Sequence, residues 1–225
     1  MTMMTDLSQL NARLIYCGMI CPELEAARKG EVGGESLPDQ LHQRPDFLRQ
    51  ELQKAIDQAI GYDFIVLGYG LCGMAAVGLR SERSCLIIPK VDDCIQLLLG
   101  SRKRFVAMNA EEPGTYYLTR DLIDKKVDPL SQFHQGISRY GRDKCLKLMK
   151  RVMRGYKRFA FVDMGHHGAD KDWGYTQSSA RLFGLESVRI RGSLALMEKM
   201  ISGTWDTDFL TLNKGQPVTS EMFGY

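Results

Sequence analysis

The sequence predicts an α/β fold, a mostly parallel sheet or sheets flanked by helices. Short apolar runs rich in β-branched residues recur along the chain (ARLIY, FIVL, CLII, FAFV), and they close on Gly or turn residues. Buried parallel strands read this way. Segments with helical spacing alternate with these runs, the rhythm of a βαβ architecture. Three runs also deliver a cysteine where the strand runs out: Cys17, Cys72 and Cys94. In open α/β sheets the ligand crevice lies outside the carboxyl ends of the strands, so thiols from three segments are candidates to meet there.

Taken in order, residues 1–11 are polar and read as a short leader. The first strand, 12–16, is closed by Cys17-Gly18, and Pro22-Glu23 suits the opening of a helix. Residues 29–45 are dense in Gly, Ser and Pro and read as a long loop. Asp46 is a candidate N-cap for a helix carrying Leu48, Leu52, Ala55 and Ile56, with Gly61 as its stop. The second strand, 64–67, runs into Gly68-Tyr69-Gly70-Leu71-Cys72-Gly73. The third, 85–88, runs into Pro89 and Asp92-Asp93-Cys94, where a helix should begin. Residues 105–108 are expected as a further short strand, and Thr115–Thr119 as extended chain after the Pro113-Gly114 turn. Residues 139–156 read as one amphipathic helix with Cys145, Leu146, Met149 and Met153 inward. Strands at 159–162, 187–190 and 208–212, with helices at 176–184 and 194–203, complete the rhythm. This organisation is expected as a single domain over 12–215, divisible into halves at 12–110 and 155–215 in a Rossmann-like manner. Residues 1–11 and 216–225 are expected as tails.

Composition narrows the function classes. The formal charge is +3 over 225 residues, with 25% charged and 44% hydrophobic residues, too even a balance for a nucleic-acid footprint. Apolar runs are too short for a membrane helix. Six cysteines without an export signal argue against a disulfide framework and for reduced thiols in a cytoplasmic protein. The basic run over 147–158 reads as a solvated helix face, or else as a surface for a phosphate, an acidic partner or a cofactor tail.

The glycines of 68–73 permit positive φ and close backbone approach, making Tyr69, Gly70 and Gly73 candidate cofactor-binding residues. The loop lacks the Lys-Ser/Thr pair of a Walker A motif, and no acidic residue stands where a dinucleotide fingerprint needs one. Cys94 at a helix start would be pulled toward thiolate and is a candidate nucleophile. Arg102 and Tyr116 are candidate substrate-orienting groups, a fork for an anion and an aromatic hydroxyl. Cys17, Cys72 and Cys94 together suit a soft metal, although three unrelated buried cysteines would give the same spacing. Cys21 is spaced so that a helix could bring it near Cys17, whereas Cys85 and Cys145 read as core. Of His166 and His167, adjacent in an extended segment, at most one should face inward.

The segments Tyr16-Cys17-Gly18, Gly68–Gly73, Asp92-Asp93-Cys94-Ile95, Leu97–Arg102 and Pro113–Thr119 resemble those of the family called domain of unknown function 1638. The resemblance spans about Leu14 to Leu212 and implies that Cys17, Cys72 and Cys94 are the family's cysteines. Three thiolates with one open coordination position would suit an iron–sulfur cluster or zinc, and the resemblance further points to one-carbon or methylamine metabolism alongside corrinoid-dependent methyltransferases. The partners it implies are a small-molecule substrate or that methyltransferase system. An accessory role in binding a corrinoid protein or its methyltransferase, with the basic run over 147–158 as the docking surface, and metal-free thiol chemistry are the competing expectations. The family pattern continues from Thr115–Thr119 into Gly-Trp, whereas this chain has Arg120-Asp121.

Overall fold

The computed structural model describes residues 7–30 and 33–225. They fall into two compact units: the chain up to Arg102 together with Ser193–Tyr225, and Lys103–Gly192. In chain order the first stretch gives β1 (Ala12–Cys17), α1 (Cys21–Arg28), β2 (Glu35–Leu37), α2 (Pro45–Gln58), β3 (Phe64–Gly68), β4 (Cys85–Pro89) and α3 (Cys94–Leu99). Next come α4 (Arg102–Glu111), β5 (Thr115–Leu118), α5 (Arg120–Asp124), α6 (Pro129–Tyr140), α7 (Arg142–Val152), β6 (Arg158–Asp163), α8 (Ala169–Phe183) and β7 (Glu186–Arg191). The chain then returns to the first unit with α9 (Ala195–Ser202) and β8 (Phe209–Leu212). Among the described residues no helix is long and apolar enough to cross a membrane.

The first unit is a five-stranded sheet in the order β2-β1-β3-β4-β8, parallel except for the antiparallel edge strand β8. Ile15, Ile65, Val66, Leu67, Ile87 and Ile88 are fully enclosed, which is why these strands read as unbroken apolar runs. Helix α2 buries Leu48, Leu52, Ala55 and Ile56, one stripe at helical spacing. It starts at Pro45 with Arg44 as its cap position, so Asp46 sits in the first turn and caps nothing. The loop expected over 29–45 holds an additional parallel strand, β2, bonded alongside Ile15–Cys17. The closing residues also pack: Val218 and Phe223 are each 1% exposed, and Val218 exchanges backbone hydrogen bonds with Gly78 and Leu79.

The second unit is a parallel three-stranded sheet in the order β5-β6-β7. Its core joins Leu118, Phe133, Cys145, Met149, Phe159 and Phe183. Two expectations are corrected here. Residues 105–108 are helical, within α4, and not a strand; none of the residues of α4 is buried, so the sequence carries no amphipathic stripe to announce it. The single helix expected over 139–156 is two helices. Gly141, at φ 74°, closes α6 by donating to the Ile137 carbonyl and lets α7 start in a new direction.

Candidate functional site

The strand order fixes where a ligand crevice can form in the first unit. From β1 the chain goes to β2 on one side and then to β3 on the other, so β1 and β3 flank the point where connections diverge. Sheets of this winding open a crevice there, beyond the carboxyl ends of the strands. Cys17 is the last residue of β1, and β3 ends at Gly68, one residue before Tyr69. The segment after β4 leads into Cys94.

The loops after β3 and β4 are bonded to each other through their backbones. Leu71 N–H donates to the Val91 carbonyl at 2.9 Å and Cys72 N–H to the Asp92 carbonyl at 2.8 Å. Gly70 makes this approach possible, because a Cβ there would stand 2.5 Å from the Val91 carbonyl oxygen. Its missing side chain therefore serves the partner loop. Gly73 packs beside Pro45, to which an added Cβ would come within 3.2 Å. The segment Cys72-Gly73-Met74 holds three consecutive positive φ angles, 48°, 64° and 71°. Two of these residues carry side chains, so the run stores roughly 1–3 kcal/mol of backbone strain per residue. Arg49 pins it by donating to the Met74 carbonyl at 2.9 Å.

Helix α3 begins where the sequence predicts. Asp93 is its N-cap and accepts from the Ile95 and Gln96 N–H groups. Burial raises the Asp93 pKa even so. Cys94 follows in the first turn, but the expected pull toward thiolate is not realised. Burial pushes its thiol well up, and Asp93, Cys72 and Cys17 all push the same way. A six-residue helix with a carboxylate at its head has too little dipole to oppose that. Cys72 is likewise pushed up to about 12, first by burial and then by Cys17 and Asp93 against a Gly70 backbone hydrogen bond. Cys17 is buried, while Cys72 and Cys94 keep partial exposure as residues with their sulfurs enclosed. Cys17 acts on the ionisation of Cys72, and Cys17 and Cys72 both act on that of Cys94, which places all three in one neighbourhood.

Tyr69 joins them. It is 3% exposed, and burial, Cys17 and Cys72 all raise its pKa. Its hydroxyl is enclosed, and a hydrogen bond with the Cys17 side chain is a further cause of the upward shift. Arg102 lies on the same unit with Asp92 at 3.4 Å, and Asp92 also accepts from the Gln96 amide at 2.7 Å. Tyr225 completes this network, its pKa raised by burial and Asp92 against the pull of Arg102. The partnership of Gln96 with Asp92 was readable as an i,i+4 pair, whereas nothing local announces Tyr225.

The remaining candidates stand elsewhere. Tyr116 belongs to the second unit, edge-on to Tyr156 and Phe159, with burial pushing its pKa up to about 12. Cys145 is a core residue whose thiol donates to the Phe133 carbonyl at 3.3 Å. Cys85 opens β4, and Cys21 sits between the Tyr16 hydroxyl and Glu25. His166 turns inward against Asp172, Nε2 to Oδ2 at 2.8 Å, and His167 is exposed. The Asp172 partner went unpredicted because it lies six residues on, across the start of α8.

Among the described residues, no group of three or more His, Cys, Asp or Glu is arranged as it stands to hold a metal ion. The three thiols are neighbours without being a ready-made ligand cage. No curated protein matches the chain, and no solved structure does. The model of the family described as "Protein of unknown function (DUF1638)" matches residues 36–201, a span that includes Cys72 and Cys94 and begins after Cys17. That match covers most of the 225 residues, and the chain belongs to this family.

Proposed function

We propose that the first unit binds a soft metal centre, an iron–sulfur cluster or zinc, through Cys17, Cys72 and Cys94. The observation that supports this reading is that Cys17, Cys72 and Cys94 lie at or after the ends of three neighbouring parallel strands, and that Cys17 and Cys72 both raise the Cys94 pKa. The donor chemistry fits, since thiols select zinc and iron–sulfur clusters over hard cations. The Tyr69 hydroxyl fits as well: a buried donor beside the Cys17 side chain would donate to that sulfur as a thiolate. Because the thiols are not caged as they stand, binding requires the loops to adjust, and the strained Cys72–Met74 run is a source of free energy for it.

A three-thiolate centre leaves one coordination position for a substrate or water. Arg102, held at the crevice by Asp92, would orient an anionic group there. The family resemblance suggests a substrate in one-carbon or methylamine metabolism, linked to corrinoid methyltransferases. The metal-free alternative with Cys94 as nucleophile has weaker support, because burial and Asp93 hold its thiol protonated.

The test is metal and acid-labile sulfide analysis, with a visible spectrum, on anaerobically purified protein. Near-stoichiometric iron or zinc is expected, falling at least about tenfold in Cys17→Ser, Cys72→Ser and Cys94→Ser, and unchanged in Cys145→Ser. Absence of metal, or equal loading of all four variants, would overturn the reading.

A further inference from the structure

Helix α7 presents a second feature that the thiol site does not use. Over residues 139–158 the chain carries nine Lys and Arg against one acid, Asp143. The helix turns Cys145 and Met149 into the core and leaves Lys144, Lys147 and Arg151 exposed on the opposite side. No ion pair neutralises these three among the described residues. Between them stand Leu148 and Val152, 43% and 68% exposed. The spacing is one helical turn, so the two aliphatics and the three cations share one face. Tyr140 extends the strip from the end of α6, with the Lys144 ammonium 6.0 Å from its ring. Tyr140 is itself 41% exposed.

A merely solvated helix face has no use for a row of aliphatics among unpaired cations. An apolar centre inside a charged rim is how protein-docking surfaces are built. We propose that this face of α7 docks an acidic amphipathic helix of a partner protein. Its apolar stripe would cover Leu148, Val152 and Tyr140, while its Glu and Asp residues meet Lys144, Lys147 and Arg151. Two considerations select this occupant. Unpaired positive charge calls for an acidic partner, and apolar residues one turn apart match the i,i+4 periodicity of a helix better than that of a phosphate backbone.

The probe is a fluorescein-labelled synthetic peptide with Leu on one helical face and Glu on the other, read by anisotropy against the full chain. A scrambled peptide of identical composition, and vesicles of phosphatidylcholine with one-third phosphatidylglycerol, serve as comparisons. The patterned peptide is expected to bind at least about tenfold tighter than the scrambled one. Leu148→Ser/Val152→Ser should weaken it roughly tenfold at constant salt, from loss of two exposed contacts. Lys147→Glu/Arg151→Glu should weaken it and flatten the salt dependence. All four substituted residues are exposed, so native circular dichroism is expected in each variant. Equal binding of the scrambled peptide, indifference to the Leu148/Val152 change, or binding to vesicles in preference to the peptide would each overturn the proposal.

Discussion

Both units are built from parallel strands whose carboxyl ends run into glycine-containing turns, yet they bring different chemistry there. The first delivers thiols and a buried tyrosine, and burial opposes the ionisation of Tyr69, Cys72 and Cys94. The second delivers Asp163 and His166, which pair with Arg189 and Asp172, and Arg189 also reaches Asp170. The contrast extends to cysteine itself. Cys145 in the second unit sits in a hydrocarbon cluster and donates to a carbonyl, behaving as a small hydrophobe. Cys17 instead raises the pKa of Cys72, and both raise that of Cys94, beside a strained loop. Parallel strands supply the position in both units, and whether the loop residues pair among themselves decides what is left for a ligand.

The largest effect that would sharpen this comparison comes from the glycine under the thiol loops. Gly70→Ala puts a Cβ against a backbone oxygen that cannot swing away, so we expect about 3 kcal/mol of destabilisation in urea unfolding. A loss under 0.5 kcal/mol would mean that the two loops are free to separate. The counterpart in the second unit is Gly136→Ala, whose Cβ would stand 2.6 Å from the Cys145 sulfur. There the obstruction is a side chain and alanine favours helix, so the net cost should be about 1 kcal/mol. Combining it with Cys145→Ala should recover part of that loss, giving a favourable coupling of about 0.5 kcal/mol or more. Strict additivity would show that the sulfur and the glycine do not compete for space.

The positions of Cys17 at the end of β1 and of Cys94 at the head of α3 were legible because they depend on a strand end and a helix cap. Apolar runs, closing glycines and the Asp93 cap are all local signals, and they marked Cys17, Cys72 and Cys94. The raised thiol pKa values were not legible, since burial and mutual repulsion arise only after the loops meet. Strand β2 was missed because three residues, Glu-Ser-Leu, carry no periodicity. The return of the chain to the first unit at Ser193 was missed for a different reason. Only non-local contacts mark it, and no composition shift falls there.

The smallest expected effect tests whether the second unit's strand-end charges stabilise the fold. Burial raises the Asp163 pKa, but the Gly165 N–H, Arg189 and His166 outweigh it, and the net shift is downward. A depressed folded pKa adds stability that is full above the ordinary carboxylate range and fades as pH falls through the folded value. The stability gap between the native chain and Asp163→Asn should therefore be greatest near neutrality and begin to close near pH ~4. For so open a pair we expect less than about 1 kcal/mol at its widest. A gap that widens in acid would reverse the assigned sign.

The seam at Gly100 and Ser193 has a consequence for how the protein is made. Ser193 N–H donates to the Leu98 carbonyl at 2.8 Å, and Gly100 leaves room for the Ser193 side chain. The second unit, residues 103–192, is thus a looped-out passage between two chain segments stitched together by a backbone bond. The strands that carry the thiols leave the ribosome early, but α9 and the edge strand β8 are synthesised last. The first unit's sheet cannot be completed until the entire second unit has been translated, so the segments bearing Cys17, Cys72 and Cys94 emerge well before the edge strand that completes that sheet.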